Sequence, residues 1–119
     1  MFDKGELRRK LMARLSEQKQ TFATRSMHLL ERPLEAGMEL AIGPHKYPVD
    51  EEAFLVVIDE APGAFWTHPV RYELHDVKTG EVRVIQEEFP LEHTDLQAEL
   101  VALHIPDLPH LKKRMTWTR

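Results

Sequence analysis

The spacing of apolar residues changes along the chain and divides it into two parts. Residues 3–32 consist mostly of Leu, Met, Ala, Glu, Gln, Lys and Arg, which favour helices. Their large apolar side chains recur at intervals of four and seven: Leu7, Leu11, Leu15, Phe22 and Leu29. This narrow stripe predicts one amphipathic helix over residues 4–30, with residues 21–26 as the place where it would break.

The second part has the pattern of strands joined by turns. Every Val and Ile lies at position 42 or later, and single Gly and Pro residues interrupt this part at short intervals. Residues 38–42 alternate between apolar and other side chains and predict a first strand. Residues 53–58 form an unbroken apolar run, which predicts a central strand covered on both faces. The N-terminal helix or a second sheet would cover the second face of this strand.

Residues 70–89 predict a hairpin. If residues 78–80 form a three-residue loop with Gly80 in the left-handed conformation, Val77 pairs with Glu81. This register separates apolar from polar side chains. One face then carries Val70, Tyr72, Leu74, Val82 and Val84, and the other carries Arg71, Glu73, His75, Arg83 and Glu87.

Residues 94–104 fit two structures. Thr94 and Gln97 have the spacing of a capping box, which predicts a helix through His104. Alternation of Leu and Ala in the same segment is equally regular and would suit a strand. The helix is the preferred prediction.

These elements together predict an α+β protein with a long N-terminal amphipathic helix. A small antiparallel sheet or sandwich of about 4–6 strands would follow, with a short C-terminal helix. Residues 1–32 would form the helical segment and residues 33–119 the β-rich body of a single domain.

The charge distribution bears on where the helix packs. Residues 1–32 carry eight Lys/Arg against four Asp/Glu, residues 33–111 carry four against sixteen, and residues 112–119 carry four against none. A basic helix is attracted to an acidic body, either its own or that of a neighbouring subunit. The same acidic body would repel a polyanion, so the pattern disfavours nucleic-acid binding.

The residue inventory excludes several kinds of chemistry. There is no cysteine, which excludes disulfides, thiolate metal sites and a cysteine nucleophile. Five isolated glycines cannot form a phosphate-binding loop. No apolar run approaches the ~20 residues of a membrane-spanning helix, and the first thirty residues lack a secretory signal. We therefore predict a cytoplasmic protein without membrane association.

Seven histidines are the remaining candidates for catalysis. No two of them have the i, i+4 spacing of a helical zinc motif, so a metal site would require the fold to gather three of them. A metal-dependent hydrolase or isomerase that uses histidines and carboxylates is therefore the alternative function. The sequence itself indicates no cofactor and no catalytic residue.

The segment Phe65-Trp66-Thr67-His68-Pro69 is the most distinctive short motif. Its two aromatic residues would either close the edge of the core or form a contact surface. Together with the helix, it supplies the predicted partner-binding residues: Leu11, Leu15, Phe22, Phe65, Trp66 and His68.

The preferred functional prediction is a non-catalytic adaptor or accessory subunit that binds a protein partner and self-associates as a homo-oligomer. A second alternative is a small-ligand-binding β-sandwich. It would have a concave apolar pocket near Tyr72 or Trp66.

Overall fold

The part of the chain that the structure describes folds into two helices and two antiparallel sheets. The structure is a computed structural model that describes residues 2–62 and 67–107. In chain order the elements are α1 (Lys4–Glu17), a short 3₁₀ helix (Thr21–Ala23), β1 (Ser26–Leu30), β2 (Glu39–Ile42), β3 (His45–Pro48), β4 (Ala53–Asp59), β5 (Val70–Asp76), β6 (Val82–Glu87), α2 (Thr94–Glu99) and β7 (Leu100–His104). The predicted α+β class is confirmed.

Helix α1 starts where the sequence predicts and ends earlier. The Asp3 side chain accepts a hydrogen bond of 2.8 Å from the backbone N–H of Glu6 and caps the first turn. The prediction that the helix continues to Leu30 is wrong, because α1 ends at Glu17 and residues 26–30 form β1. Both faces of β1 are buried, and this burial outweighs the moderate helix preference of its residues.

The larger sheet has the strand order β6-β5-β4-β1-β7, and every neighbouring pair is antiparallel. The prediction that residues 53–58 form a central strand is confirmed, because β4 lies between β5 and β1. Strands β2 and β3 form a separate hairpin. The strand predicted at residues 38–42 is β2, the second along the chain, because β1 precedes it.

The larger sheet carries a hydrophobic cluster on each face. The helix-side cluster lies beneath α1 and comprises Leu7, Leu11, Phe22, Met27, Leu29, Phe54, Val56, Ile58 and Val77. The hairpin-side cluster includes Leu30, Leu34, Leu40, Ile42, Leu55, Tyr72, Leu74, Ile85, Leu91 and Leu96. The apolar run of β4 therefore alternates between two cores, which explains why its sequence lacks a polar face.

The β5–β6 hairpin has a register different from the one predicted. Its loop has four residues, because the N–H of Asp76 donates to the carbonyl of Glu81 (2.9 Å), and Val77 lies in the loop. The predicted pairing of Val77 with Glu81 is therefore wrong, although Gly80 is left-handed as predicted, with φ +75°. Burial of Val77 in the helix-side cluster stabilises the longer loop. The shift places the side chains of Val82 and Val84 on the face that also carries Glu73 and His75.

Residues 94–104 adopt both of the structures that the sequence suggested. The prediction of a helix through His104 is wrong beyond Glu99, where α2 ends and β7 begins. Strand β7 pairs with β1 and so satisfies the outer backbone edge of β1. Neither α1 nor α2 in the described chain is long and apolar enough to cross a membrane.

Candidate ligand pocket

A concave pocket of about 620 Å³ lies on the face of the larger sheet opposite α1. We call it the sheet pocket, and it is lined by His28, Val57, Asp59, Thr67, His68, Val70, Tyr72, Glu88, Pro90, Leu91, Gln97 and Leu100. Its floor is a row across three strands, because Val57 of β4 pairs with His28 of β1 and with Tyr72 of β5. Cross-strand partners project from the same face, so these three side chains line one side of the pocket.

One wall of the sheet pocket is the segment between β6 and α2, which is fastened to the β2–β3 hairpin. The N–H of Gly43 donates to the carbonyl of Pro90 (3.0 Å), and the N–H of Glu92 donates to the carbonyl of Ala41 (2.9 Å). The side-chain amide of Gln97 donates to the carbonyl of Leu91. These bonds hold Pro90, Leu91 and Gln97 at the pocket, so the wall is part of the folded framework.

Another part of the pocket lining contains a pairing between Asp59 at the end of β4 and His68 before β5. The distance from Nε2 of His68 to Oδ1 of Asp59 is 2.8 Å. The same carboxylate accepts a hydrogen bond of 2.9 Å from the N–H of Ala61. A carboxylate beside an imidazole can hold or transfer a proton, and it can also bind a hydrogen-bond donor of a ligand.

Burial controls the protonation of the two polar floor residues. It lowers the pKa of His28, and the negative charge of Asp59 opposes this effect only in part. Burial also raises the pKa of Tyr72, and the carboxylates of Asp59, Glu87 and Glu92 raise it further. Near pH 7 the imidazole of His28 and the phenol of Tyr72 are therefore uncharged. The Tyr72 hydroxyl donates to the carbonyl of Phe89 at 2.8 Å.

A second polar group lies on the other face of the sheet, beneath α1. The carboxylate of Glu73 is buried and accepts hydrogen bonds from Arg14 (2.9 and 3.0 Å) and Arg71 (2.7 Å). Nε2 of buried His75 lies 2.9 Å from the same carboxylate. Burial raises the pKa of the Glu73 carboxyl, but the bonds from His75, Arg14 and Arg71 outweigh it and hold the pKa below its usual range. This group fastens α1 to the sheet.

The predicted partner-binding residues fall into three sets. Leu11 and Phe22 are buried in the helix-side cluster, and Leu15 packs against it with partial exposure. His68 lines the sheet pocket. Phe65 and Trp66 lie outside the described residues. The helix therefore packs on its own sheet, which was one of the two arrangements considered, and partner binding at these residues stays a prediction.

The sequence predicts a concave apolar pocket near Tyr72 or Trp66. Tyr72 lines the sheet pocket, but the sequence did not indicate His28 and Asp59 as lining residues. His28 lies within the helix predicted over residues 4–30, and Asp59 directly follows the apolar run of residues 53–58. In residues 2–62 and 67–107, no group of three or more His, Cys, Asp or Glu side chains has an arrangement that could hold a metal ion. Comparison of the chain with protein-family models, curated proteins and solved structures gave no match.

Proposed function

We propose that the protein binds a small organic molecule in the sheet pocket. The supporting observation is a concavity of about 620 Å³ whose lining mixes apolar side chains with several polar ones. Ligand pockets typically measure ~300–1,000 Å³ and have this composition. Cavities that stay empty of water are lined by apolar side chains, whereas Asp59, His68 and Gln97 bring hydrogen-bonding groups to this pocket.

Two substitutions of neighbouring residues on β7 test this proposal. Leu100 lines the pocket, while Val101 is exposed and does not line it. Leu100→Trp should fill the pocket and abolish binding of small-molecule fragments detected by NMR, and Val101→Trp should leave that binding intact. Thermal unfolding of both variants checks that they are folded.

Two results would contradict ligand binding at the sheet pocket. A diverse fragment library that shifts no amide resonance of His28, Val57 or Tyr72 would contradict ligand binding at the sheet pocket. So would fragments that bind the Leu100→Trp variant as tightly as the original chain.

A second function, self-association as an interaction module, is favoured by strand β6. It is an edge strand of the larger sheet, and its residues Val82 and Val84 are 40% and 44% exposed. Exposed edge strands pair readily with another chain. Antiparallel pairing of two copies about Val84 sets this residue against its own copy and Val82 against Gln86. The same register sets Glu81 of each copy opposite Glu87 of the other, but the Glu87 carboxylate is buried and bonded to His45 and Tyr47 of its own chain. We propose that the occupant of this edge is a second copy of the chain.

Light scattering coupled to size-exclusion chromatography tests self-association at β6. Val84→Lys should convert a dimer to a monomer, because it places two positive charges opposite each other. Val101→Lys, on the edge strand at the other side of the sheet, is the matched control and should stay dimeric. A monomeric original chain at high micromolar concentration would overturn this second proposal.

A further inference from the structure

The charge of the sheet pocket indicates which class of molecule it would bind. We infer that its ligand is an organic cation, an amine attached to an apolar body. This inference rests on the proposed binding function and adds the chemical class of the ligand.

The charged side chains at the sheet pocket are acidic. Asp59 and Glu88 line it, and no Lys or Arg is among its described lining residues. Nε2 of His68 lies 2.8 Å from Oδ1 of Asp59, and Glu88 is a second carboxylate at the pocket. An anionic ligand would therefore meet repulsion, whereas an ammonium group would be attracted.

The polar floor residues do not reverse this charge. His28 is neutral near pH 7 because burial lowers its pKa, so it adds no positive charge. The negative charges of Glu87 and Glu92 also act on the floor of the sheet pocket, because both carboxylates help to raise the pKa of Tyr72. The negative potential at the floor therefore comes from more carboxylates than the lining alone contains.

The rest of the pocket suits the apolar body of such a ligand. Apolar side chains from four separate parts of the chain line it: Val57, Val70, Pro90, Leu91 and Leu100. Burial of an aromatic or aliphatic group against them would supply most of the binding free energy, and the carboxylates would orient the amine.

Three fluorescent probes that share one dansyl group separate charge from apolar contact. Dansylcadaverine carries an ammonium group, its N-acetyl derivative is neutral, and dansyl-6-aminohexanoate carries a carboxylate. Fluorescence titration of the full chain at pH 7 and low salt should give a Kd for the cation about tenfold lower than for the neutral probe. The anion should bind more weakly than either, and added salt should reduce the preference.

Two variants assign that preference to the pocket carboxylates. Asp59→Asn keeps an oxygen that can accept from the N–H of Ala61 and should remove most of the preference for the cation. Glu88→Gln, at an exposed position that tolerates substitution, should remove part of it. Glu60→Gln is the matched control, because Glu60 follows Asp59, pairs with Arg25 and does not line the pocket. It should preserve the full preference.

The outcomes separate this inference from the proposed function. Neutral or anionic probes that bind as tightly as the cation would overturn the cation inference and leave ligand binding in place. An unchanged preference in both Asp59→Asn and Glu88→Gln would also overturn it. If no probe binds, fragment hits without a basic group overturn the cation inference alone, and a fragment screen without any hit overturns both.

Discussion

The Arg14 side chain connects helix α1 to a carboxylate in the interior. Both oxygens of Glu73 accept from Arg14, and the Glu73 side chain is 1% exposed. Arg14→Leu should lower the free energy of unfolding by about 2 kcal/mol, because a hydrogen bond to a buried charge is lost. Urea denaturation at pH 7 measures the change. Arg9→Leu, at an exposed position of the same helix, should change it by less than about 0.5 kcal/mol, and equal effects of the two substitutions would contradict the assigned role of Arg14.

The lowered pKa of the Glu73 carboxyl determines how the free energy of unfolding should depend on pH. Burial raises the pKa of this carboxyl, but hydrogen bonds from His75, Arg14 and Arg71 lower it further, so the folded value lies below the unfolded value of about 4.3. Its contribution to stability is therefore complete above the unfolded pKa and is lost as pH falls below it. Glu73→Gln should reduce the slope of unfolding free energy against pH by up to about 1.4 kcal/mol per pH unit below pH ~4.

Urea unfolding at several values between pH 3 and pH 7 would measure that slope. Glu81→Gln is a suitable control, since Glu81 is exposed and its side chain lies in the β5–β6 loop region. Equal slopes for the original chain and the Glu73→Gln variant would show that Glu73 titrates alike in the folded and unfolded states.

The β5–β6 hairpin shows how turn chemistry can overrule the apolar pattern. The Asp76 carboxylate accepts hydrogen bonds from the N–H groups of Lys78 (2.7 Å) and Thr79 (3.0 Å), and this fixes a four-residue loop. Asp76→Ala should destabilise the protein and speed amide exchange in β6, because two backbone N–H groups of the loop lose their acceptor. Lys78→Ala should leave both quantities near their original values, and hydrogen exchange followed by NMR would detect the difference.

Local sequence patterns predicted part of the secondary structure correctly, and the wrong predictions have a common cause. The Asp3 cap, the Leu7–Leu11 spacing and the apolar run of β4 all report local preferences, and each was interpreted correctly. Residues 26–30 become a strand only because β4 and β7 pair with them on either side. Pairing between distant segments has little effect on the spacing of neighbouring residues in the sequence. The sequence therefore predicted neither β1 nor the end of α2.

At the scale of the whole molecule, the opposite charges of the first segment and the body meet within one chain. Arg14 of α1 pairs with Glu73 at 2.9 Å, and Arg25 pairs with Glu60 at 3.2 Å. The charge blocks in the sequence predicted that the basic helix is attracted to an acidic body. They did not show whether that body belongs to the same chain or to a neighbouring subunit. The sheet pocket was less predictable, because Asp59 and His68 meet only when the end of β4 and the start of β5 are brought together.

Because the two hydrophobic clusters share one sheet, the molecule should unfold as a single cooperative unit. Ile58 belongs to the helix-side cluster and Ile42 to the hairpin-side cluster, and each side chain is no more than 1% exposed. Ile58→Val and Ile42→Val should each lower the free energy of unfolding by about 1 kcal/mol. The two effects should add within about 0.5 kcal/mol in the double variant, since the side chains belong to separate clusters.

Residue-resolved NMR during urea denaturation provides the decisive measurement. Removal of the Ile58 methyl group should lower the midpoint of amides on both sides of the sheet equally, because loss of the shared strands β4 and β5 exposes both clusters together. A midpoint that falls for α1 but not for the β2–β3 hairpin would mean that the hairpin layer remains folded after the helix layer has opened. In that case the sheet pocket, which is built on the hairpin side, would also survive the loss of α1.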